Sequence, residues 1–309
     1  AGNWSFNGSG SVSGTEIINF DGLVNTINDN PSATSVSFGN VTFSGGGAGS
    51  IQENIIFNGN LLIANNTSVT VANLSVTSNA NFTVEAGASY NHTANNTFFY
   101  GTSAQTIDLS GTASFNGIVF DNGSPNAKTI VGNIDANGRI NIYSGATVNG
   151  AGDHTVDGGL LVDGTCNWSG SVTMTGNQLF TTNASNTLTL GTAVLNVDGG
   201  VTLNFIAPAT SVTANINNDV NIYNGYILLN DNTTFIGQPG NTLHADPNTS
   251  IYVRGPNNFP SGFGTYDFDV TSWVRYDAPF DQTVRGVPYG NLEIDGTGTT
   301  NTVDGPIDV

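Results

Sequence analysis

The feature that most restricts the fold is a repeated pair. An Asn-Gly or Asp-Gly step, which takes up positive φ cheaply, is followed at once by a short run of alternating apolar residues. It occurs as NGNLLI (58–63), NGRINI (137–142), DGGLLV (157–162) and DGGVTL (198–203). Such steps bend or reverse the chain, and the alternation after them fits a half-buried strand. Longer copies enclose them. FGNVTFSG (38–45), FNGIVFDN (115–122) and YGNLEIDG (289–296) share one skeleton. A weaker copy, GTAVLNVDGG (191–200), leads into NINNDVNIYNG (215–225), which mirrors NIDANGRINIYSG (133–145). The degenerate units therefore begin near 38, 115, 191 and 289, the last one truncated, and self-similarity of this kind marks repeat architectures.

Short strands between regular turns fit a sandwich, a barrel or a solenoid, and composition weighs on the choice. Only 9% of the residues are charged, while Gly numbers 40, Phe 17 and Asn more than forty. The residues that favour helices are scarce, and Val, Ile, Thr, Phe and Tyr fill the periodic positions. In a parallel β-solenoid each layer places the same residue class at the same angular position, and Asn and Thr can bond along the stack. The reading is all-β: an elongated parallel β-solenoid with degenerate repeats, one array over 1–309, with tandem β-sandwich modules as the alternative. At roughly 22 residues per layer the chain makes on the order of 14 layers, about 65–70 Å long. One segment stays open. In GTEIINFDGLVNTINDNP (14–31), Ile17, Phe20, Val24 and Ile27 have helical spacing with Thr15 as an N-cap, whereas Gly22 and FDGLV fit the strand pattern.

Five basic and 23 acidic residues give a net charge of −18. Five scattered cations cannot neutralise a phosphate backbone, so nucleic acid is excluded as a partner, and anionic lipid with it. No apolar run approaches a membrane span, so no membrane insertion is expected. The acidity is compatible with structural calcium, yet no motif supports it, and no cofactor is expected. Cys166, the single cysteine, excludes an internal disulfide and a CxxC knuckle.

A resemblance enters at 259–296, FPSGFGTYDFDVTSWVRYDAPFDQTVRGVPYGNLEIDG. Its order of Phe-Pro-Ser-Gly-Phe, Ser-Trp-Val-Arg-Tyr-Asp, Gln-Thr-Val and Tyr-Gly-Asn-Leu-Glu-Ile resembles the repetitive regions of very large Bacteroidetes surface proteins. Those are exported by the type IX secretion system and include gliding-motility adhesins. A degenerate version lies at 98–120, through Phe98, Tyr100, Gln105 and Phe115. The full signature covers about forty residues, and the C-terminal sorting domain such proteins often carry is not among them. The resemblance implies a β-rich extracellular, cell-surface filament or adhesin protein.

Candidate chemistry is sparse. Asp153, His154 and Asp157 in DHTVD suggest a metal site, but adjacent strand residues point apart, and a solvated turn is the simpler reading. SGGGAGS (44–50) lacks the Lys-Ser/Thr of a phosphate loop and reads as a turn. β-Helical polysaccharide lyases and hydrolases are the enzymatic rival. The one carboxylate pair on offer is Asp267 and Asp269 in YDFDV, and Lys128, the sole lysine, reads as a surface charge at a turn. No enzyme is expected. A glycan or protein contact is placed on Phe259, Phe263, Tyr266, Trp273, Arg275 and Tyr276, where aromatic faces and Arg can stack on sugars or form interface anchors, against the reading that these rings fill the core.

Three further expectations follow. Val41 and Phe43, Ile118 and Phe120, and Leu292 and Ile294 face inward, while Thr42, Val119 and Glu293 face out, with Asn40, Gly117 and Asn291 at corners or strand starts. The final half-unit shows no capping repeat, so the chain stacks end to end with copies of itself or adjoins further repeats of the same protein. The chain is a non-enzymatic structural segment of a surface filament or adhesin, with a carbohydrate-binding module as the rival.

Overall fold

A computed structural model describes the chain apart from residues 1–3, 7–9, 30–35, 53, 73–74, 122–125, 176–178, 182–186, 207–211 and 297–298. The described residues form 36 strands and no helix. Two compact units divide the chain, Ala1–His154 and Thr155–Val309.

In the first unit Val41 aligns with Leu61, Leu61 with Phe82, Phe82 with Ile107 and Ile107 with Ile130, all in parallel. In the second, Leu203, Ile227, Ile251, Val274 and Leu292 form one such column. The chain is therefore all-β and each unit is a parallel β-solenoid; antiparallel sandwich modules are ruled out, because their strands pair the other way. The units carry about 12 turns, fewer than the sequence estimate. Steps such as Tyr226 to Ser250 and Phe82 to Ile107 take more residues than the expected layer.

The Gly-containing steps do open strands, at Leu61–Ile63, Ile140–Ile142, Leu160–Val162 and Val201–Ile206. The corners explain the Asn and Gly content. Thr67 N–H donates to Ala64 O, Ala88 to Glu85, Ala146 to Tyr143 and Thr249 to Asp246, each closing a four-residue turn. The third residue of each turn is Asn66, Gly87, Gly145 or Asn248, and all four have positive φ. Asn and Gly are the residues that tolerate this angle. The described part of segment 14–31, residues 14–29, is not helical. It lies in strands Gly10–Phe20 and Val24–Asp29, with Gly22 between them.

Side chains bond from layer to layer along the coil. Asn40 Oδ1 accepts Asn60 N–H (2.9 Å), Asn60 Oδ1 accepts Asn81 N–H (3.2 Å), and Asn81 Oδ1 accepts Thr106 N–H (2.9 Å). Inside, rings pack against rings. Phe20 stacks on Phe43 at 5.0 Å, and Phe82 meets Tyr90 at 5.1 Å and Phe99 at 5.6 Å. Each fully buried Phe contributes roughly 1.5–3 kcal/mol. Cys166 is buried in the second unit, and burial pushes its thiol up.

The inward residues Val41, Phe43, Ile118 and Phe120 are buried, and Thr42 is half-buried. Asn40 and Gly117 lie where long strands pass from one partner strand to the next, and Asn291 opens Asn291–Ile294. Three positions differ from expectation, and the first, Leu292, is half-buried rather than buried. Val119 is buried in the outward column between Phe98 and Asn141. Ile294 is 44% exposed although it continues the inward column of Val253 and Tyr276. The register is right, but among the described residues strand Asn291–Ile294 pairs only with Trp273–Tyr276, so one flank stays uncovered.

Lys128 is a clear correction: it is 0% exposed, not a surface charge. Its Nζ donates to Gly101 O, and burial lowers its pKa to about 8. It follows Gln105 in register, and Gln105 Nε2 likewise donates to Ser78 O at 2.9 Å. The second unit repeats the device. Asn258 Nδ2 donates to Leu229 O (3.0 Å), and Gln282 Nε2 donates to Val253 O (2.8 Å) and Gly255 O (3.0 Å). These inward donors satisfy corner carbonyls that would otherwise lose about 1–3 kcal/mol each on burial.

Candidate functional site

The six residues singled out at the aromatic stretch divide into two sets. Phe259, Phe263 and Tyr276 are buried packing. Phe259 stacks on Tyr276 at 6.2 Å, and Phe263 on Phe235 at 6.0 Å. Tyr276 hydroxyl is pushed up to about 12 by burial, and it accepts Arg285 N–H at 3.1 Å. These three are core, not platform. Tyr266 is intermediate, its hydroxyl donating to Pro260 O at 3.0 Å. Trp273 and Arg275 lie on the outer face of strand Trp273–Tyr276, because Val274 and Tyr276 take the inward positions.

That outer face extends across strands Val201–Ile206, Gly225–Leu229, Ser250–Val253, Trp273–Tyr276 and Asn291–Ile294. Parallel register produces two outward columns. One runs Thr202, Tyr226, Ser250, Trp273, Asn291; the other runs Asn204, Leu228, Tyr252, Arg275, Glu293. Tyr226 and Trp273 are each 36% exposed. Tyr226 meets Tyr252 edge-on at 6.0 Å. Arg275 lies 5.1 Å from the Trp273 ring and 5.6 Å from the Tyr252 ring, and its Nη1 pairs with Glu293 Oε2 at 3.2 Å. Arg254 lies 6.0 Å from Tyr252 and holds Asp277 through Nη2 and Oδ2 at 3.0 Å. Cation–π contacts of this kind add about 0.5–1 kcal/mol each at exposed sites. A groove of about 420 Å³ is bounded by Thr202, Tyr226, Leu228, Tyr252 and Arg254.

Sequence reasoning placed Trp273 and Arg275 but missed Tyr226. It lies outside the aromatic-rich stretch and joins it only through register. A signal existed in the outward position of GYILL, two layers before SWVRY.

The other candidates do not converge. Asp267 Oδ2 lies 2.8 Å from His244 Nδ1, while Asp269 Oδ1 accepts from Thr271 N–H and Oγ1, both at 2.7 Å. Asp246 Oδ1 lies 2.9 Å from His244 Nε2. Partial burial pulls the His244 pKa down, but the hydrogen bonds and charges of Asp246 and Asp267 outweigh it and raise the pKa. His154 faces the core and accepts Ile134 N–H on Nδ1 at 3.1 Å; burial lowers its pKa to about 4. Asp153 is exposed, and Asp157 accepts from Thr175 Oγ1. His92 is buried with Nδ1 2.8 Å from Thr97 Oγ1. Among the described residues no group of three or more His, Cys, Asp or Glu could hold a metal ion.

In the first unit a cleft of about 500 Å³ is lined by Asn58, Asn60, Asn79, Asn81, Tyr100 and their neighbours. Its Asn60 and Asn81 side-chain oxygens are engaged by the backbone of the next layer. Compared with known proteins, the chain matches no family model, no curated protein and no solved structure.

Proposed function

We propose that this chain is a non-enzymatic structural segment of an extracellular surface filament or adhesin, with copies of itself or adjoining repeats of the same protein as its partners. The observation that carries the reading is the Asn40–Asn60–Asn81–Thr106 ladder. Here polar side chains, Asn60 and Asn81 of the cleft among them, have their oxygens used to join successive layers. The same use recurs in Thr173–Asn196–Asn221, at 3.3 and 2.9 Å. Separate engagement of Asp267 and Asp269 supports a non-catalytic role, since glycoside hydrolysis needs two convergent carboxyls. The 9% charged content and the surface-protein resemblance of 259–296 fit an extracellular setting.

Immunogold labelling of intact source cells with antibody to the folded chain tests this. Gold on surface fibres or on the outer face is expected. Label found only after permeabilisation overturns it.

A further inference from the structure

We propose that the outward face formed by Tyr226, Tyr252 and Trp273 binds an extended, neutral, β-linked glycan chain. This goes beyond the structural reading. A filament segment without a ligand satisfies that reading, and a glycan-binding solenoid that forms no filament satisfies this one.

Spacing is the first argument. Tyr226 and Trp273 occupy one column with only Ser250 between them, so their backbone positions lie two layers, about 9.5 Å, apart along the stack. Ser250 is small, so no bulky side chain stands between the two rings. An extended β-linked chain of pyranose rings is straight, and its alternate rings turn the same flat C–H face toward one side at about this repeat. An α-linked chain curls and would meet one ring only. Tyr252, one column over in the intervening layer, stands beside the pair.

Charge is the second. The chain carries −18, and two of its five basic residues, Arg254 and Arg275, lie on this face. Asp277 and Glu293 take up their charges. The face is thus locally balanced on an acidic molecule, which suits a neutral polar ligand and disfavours an anionic glycan.

Rigidity is the third. Arg275 stacks against both Tyr252 and Trp273 and is itself tied to Glu293, so the rings are held before a ligand arrives, and less rotamer freedom is lost on binding. Around the rings, polar side chains stand beside one apolar residue, Leu228. Thr202, Asn204 and Asn291 continue the columns, and Asn204 Oδ1 already accepts from Asn230 Nδ2 at 2.8 Å.

Isothermal titration calorimetry of the 309-residue chain with cellohexaose and chitohexaose, and with maltohexaose as the α-linked control, tests the proposal. Saturable binding of at least one β-linked hexasaccharide is expected. Trp273→Ala and Tyr226→Ala should each weaken it on the order of tenfold or more. Tyr143→Ala, in the first unit, should leave it unchanged. Melting curves accompany each variant; if Trp273→Ala fails to fold, Tyr226→Ala decides alone. Absence of binding to both β-linked sugars, equal binding of maltohexaose, or binding that survives the substitutions overturns the proposal. So does loss of self-association in the variants with no sugar binding in the parent, which would make the face a protein contact.

Discussion

Asn40 Oδ1 accepts the backbone N–H of Asn60 at 2.9 Å, and Asn60 makes the same bond to Asn81 at 3.2 Å. Each carboxamide is therefore a link in one direction. Asn60→Ala removes the acceptor for Asn81 N–H and leaves Asn60 N–H bonded to Asn40. A loss of about 1 kcal/mol is expected locally. Hydrogen exchange should show faster exchange at Asn81 and unchanged exchange at Asn60; equal effects at both amides would contradict the one-way ladder.

Lys128 gives the fold an alkaline signature. Its folded pKa is about 8 against an ordinary 10.5. Between those values the unfolded chain binds more protons, so stability is fully present above the upper value and is lost as pH falls toward the lower one. Lys128→Gln keeps a donor like that of Gln105 without the charge. Urea midpoints measured at pH about 7 and about 9.5 should rise in the parent and stay flatter in the variant. Above the ordinary tyrosine value of 10.0, Tyr276 acts in the opposite sense, because its raised pKa means stability is lost as pH climbs.

His154 and His244 should separate in an NMR titration. His154, depressed to about 4, stays neutral in the fold, and the stability it contributes is lost as pH drops from 6.5 toward that value. His244, raised by Asp246 and Asp267, contributes stability below 6.5 that fades as pH rises through its folded pKa. Its ring protons should titrate later than those of a free imidazole, and His244→Gln should remove that transition only. Coincident titration of His154 and His244 would refute both assignments.

Core and face aromatics should respond differently to truncation. Phe82→Ala removes the ring that Tyr90, Phe99 and Phe115 surround and is expected to cost about 3–5 kcal/mol. Trp273→Ala, on the outer face, should cost about 1 kcal/mol or less through its lost contact with Arg275. Denaturant titrations of both variants check the contrast.

Much of the fold was legible because it depends on residue class and backbone angle. Asn-Gly before LLI and Asp-Gly before LLV state where strands open, and Val41 and Phe43 state which side is inside. Lys128 was not legible by class, since a lysine is rarely buried. Its clue was positional: AQTIDL and AKTIVG place Gln105 and Lys128 one residue ahead of the same Thr-Ile step. Ile294 obeyed its pattern and still met solvent, because burial depends on the neighbouring layer as well as on alternation. The candidate face was half legible. Trp273 and Arg275 are two residues apart in sequence, whereas Tyr226 reaches them only through the register of Ser250–Val253.

The corner turns carry a consequence for how such a chain changes over generations. Residues 61–81 contain one full layer, from Leu61 to the residue before Phe82, and Phe82 stands directly over Leu61. A deletion of that block would set Phe82 against Val41, and the Glu85–Ala88 turn would replace Ala64–Thr67, again with positive φ at its third residue. Duplication of the block would do the reverse. The length of the coil is thus a quantity that copying errors can adjust in whole steps, while each surviving side chain keeps a neighbour of the kind it had before.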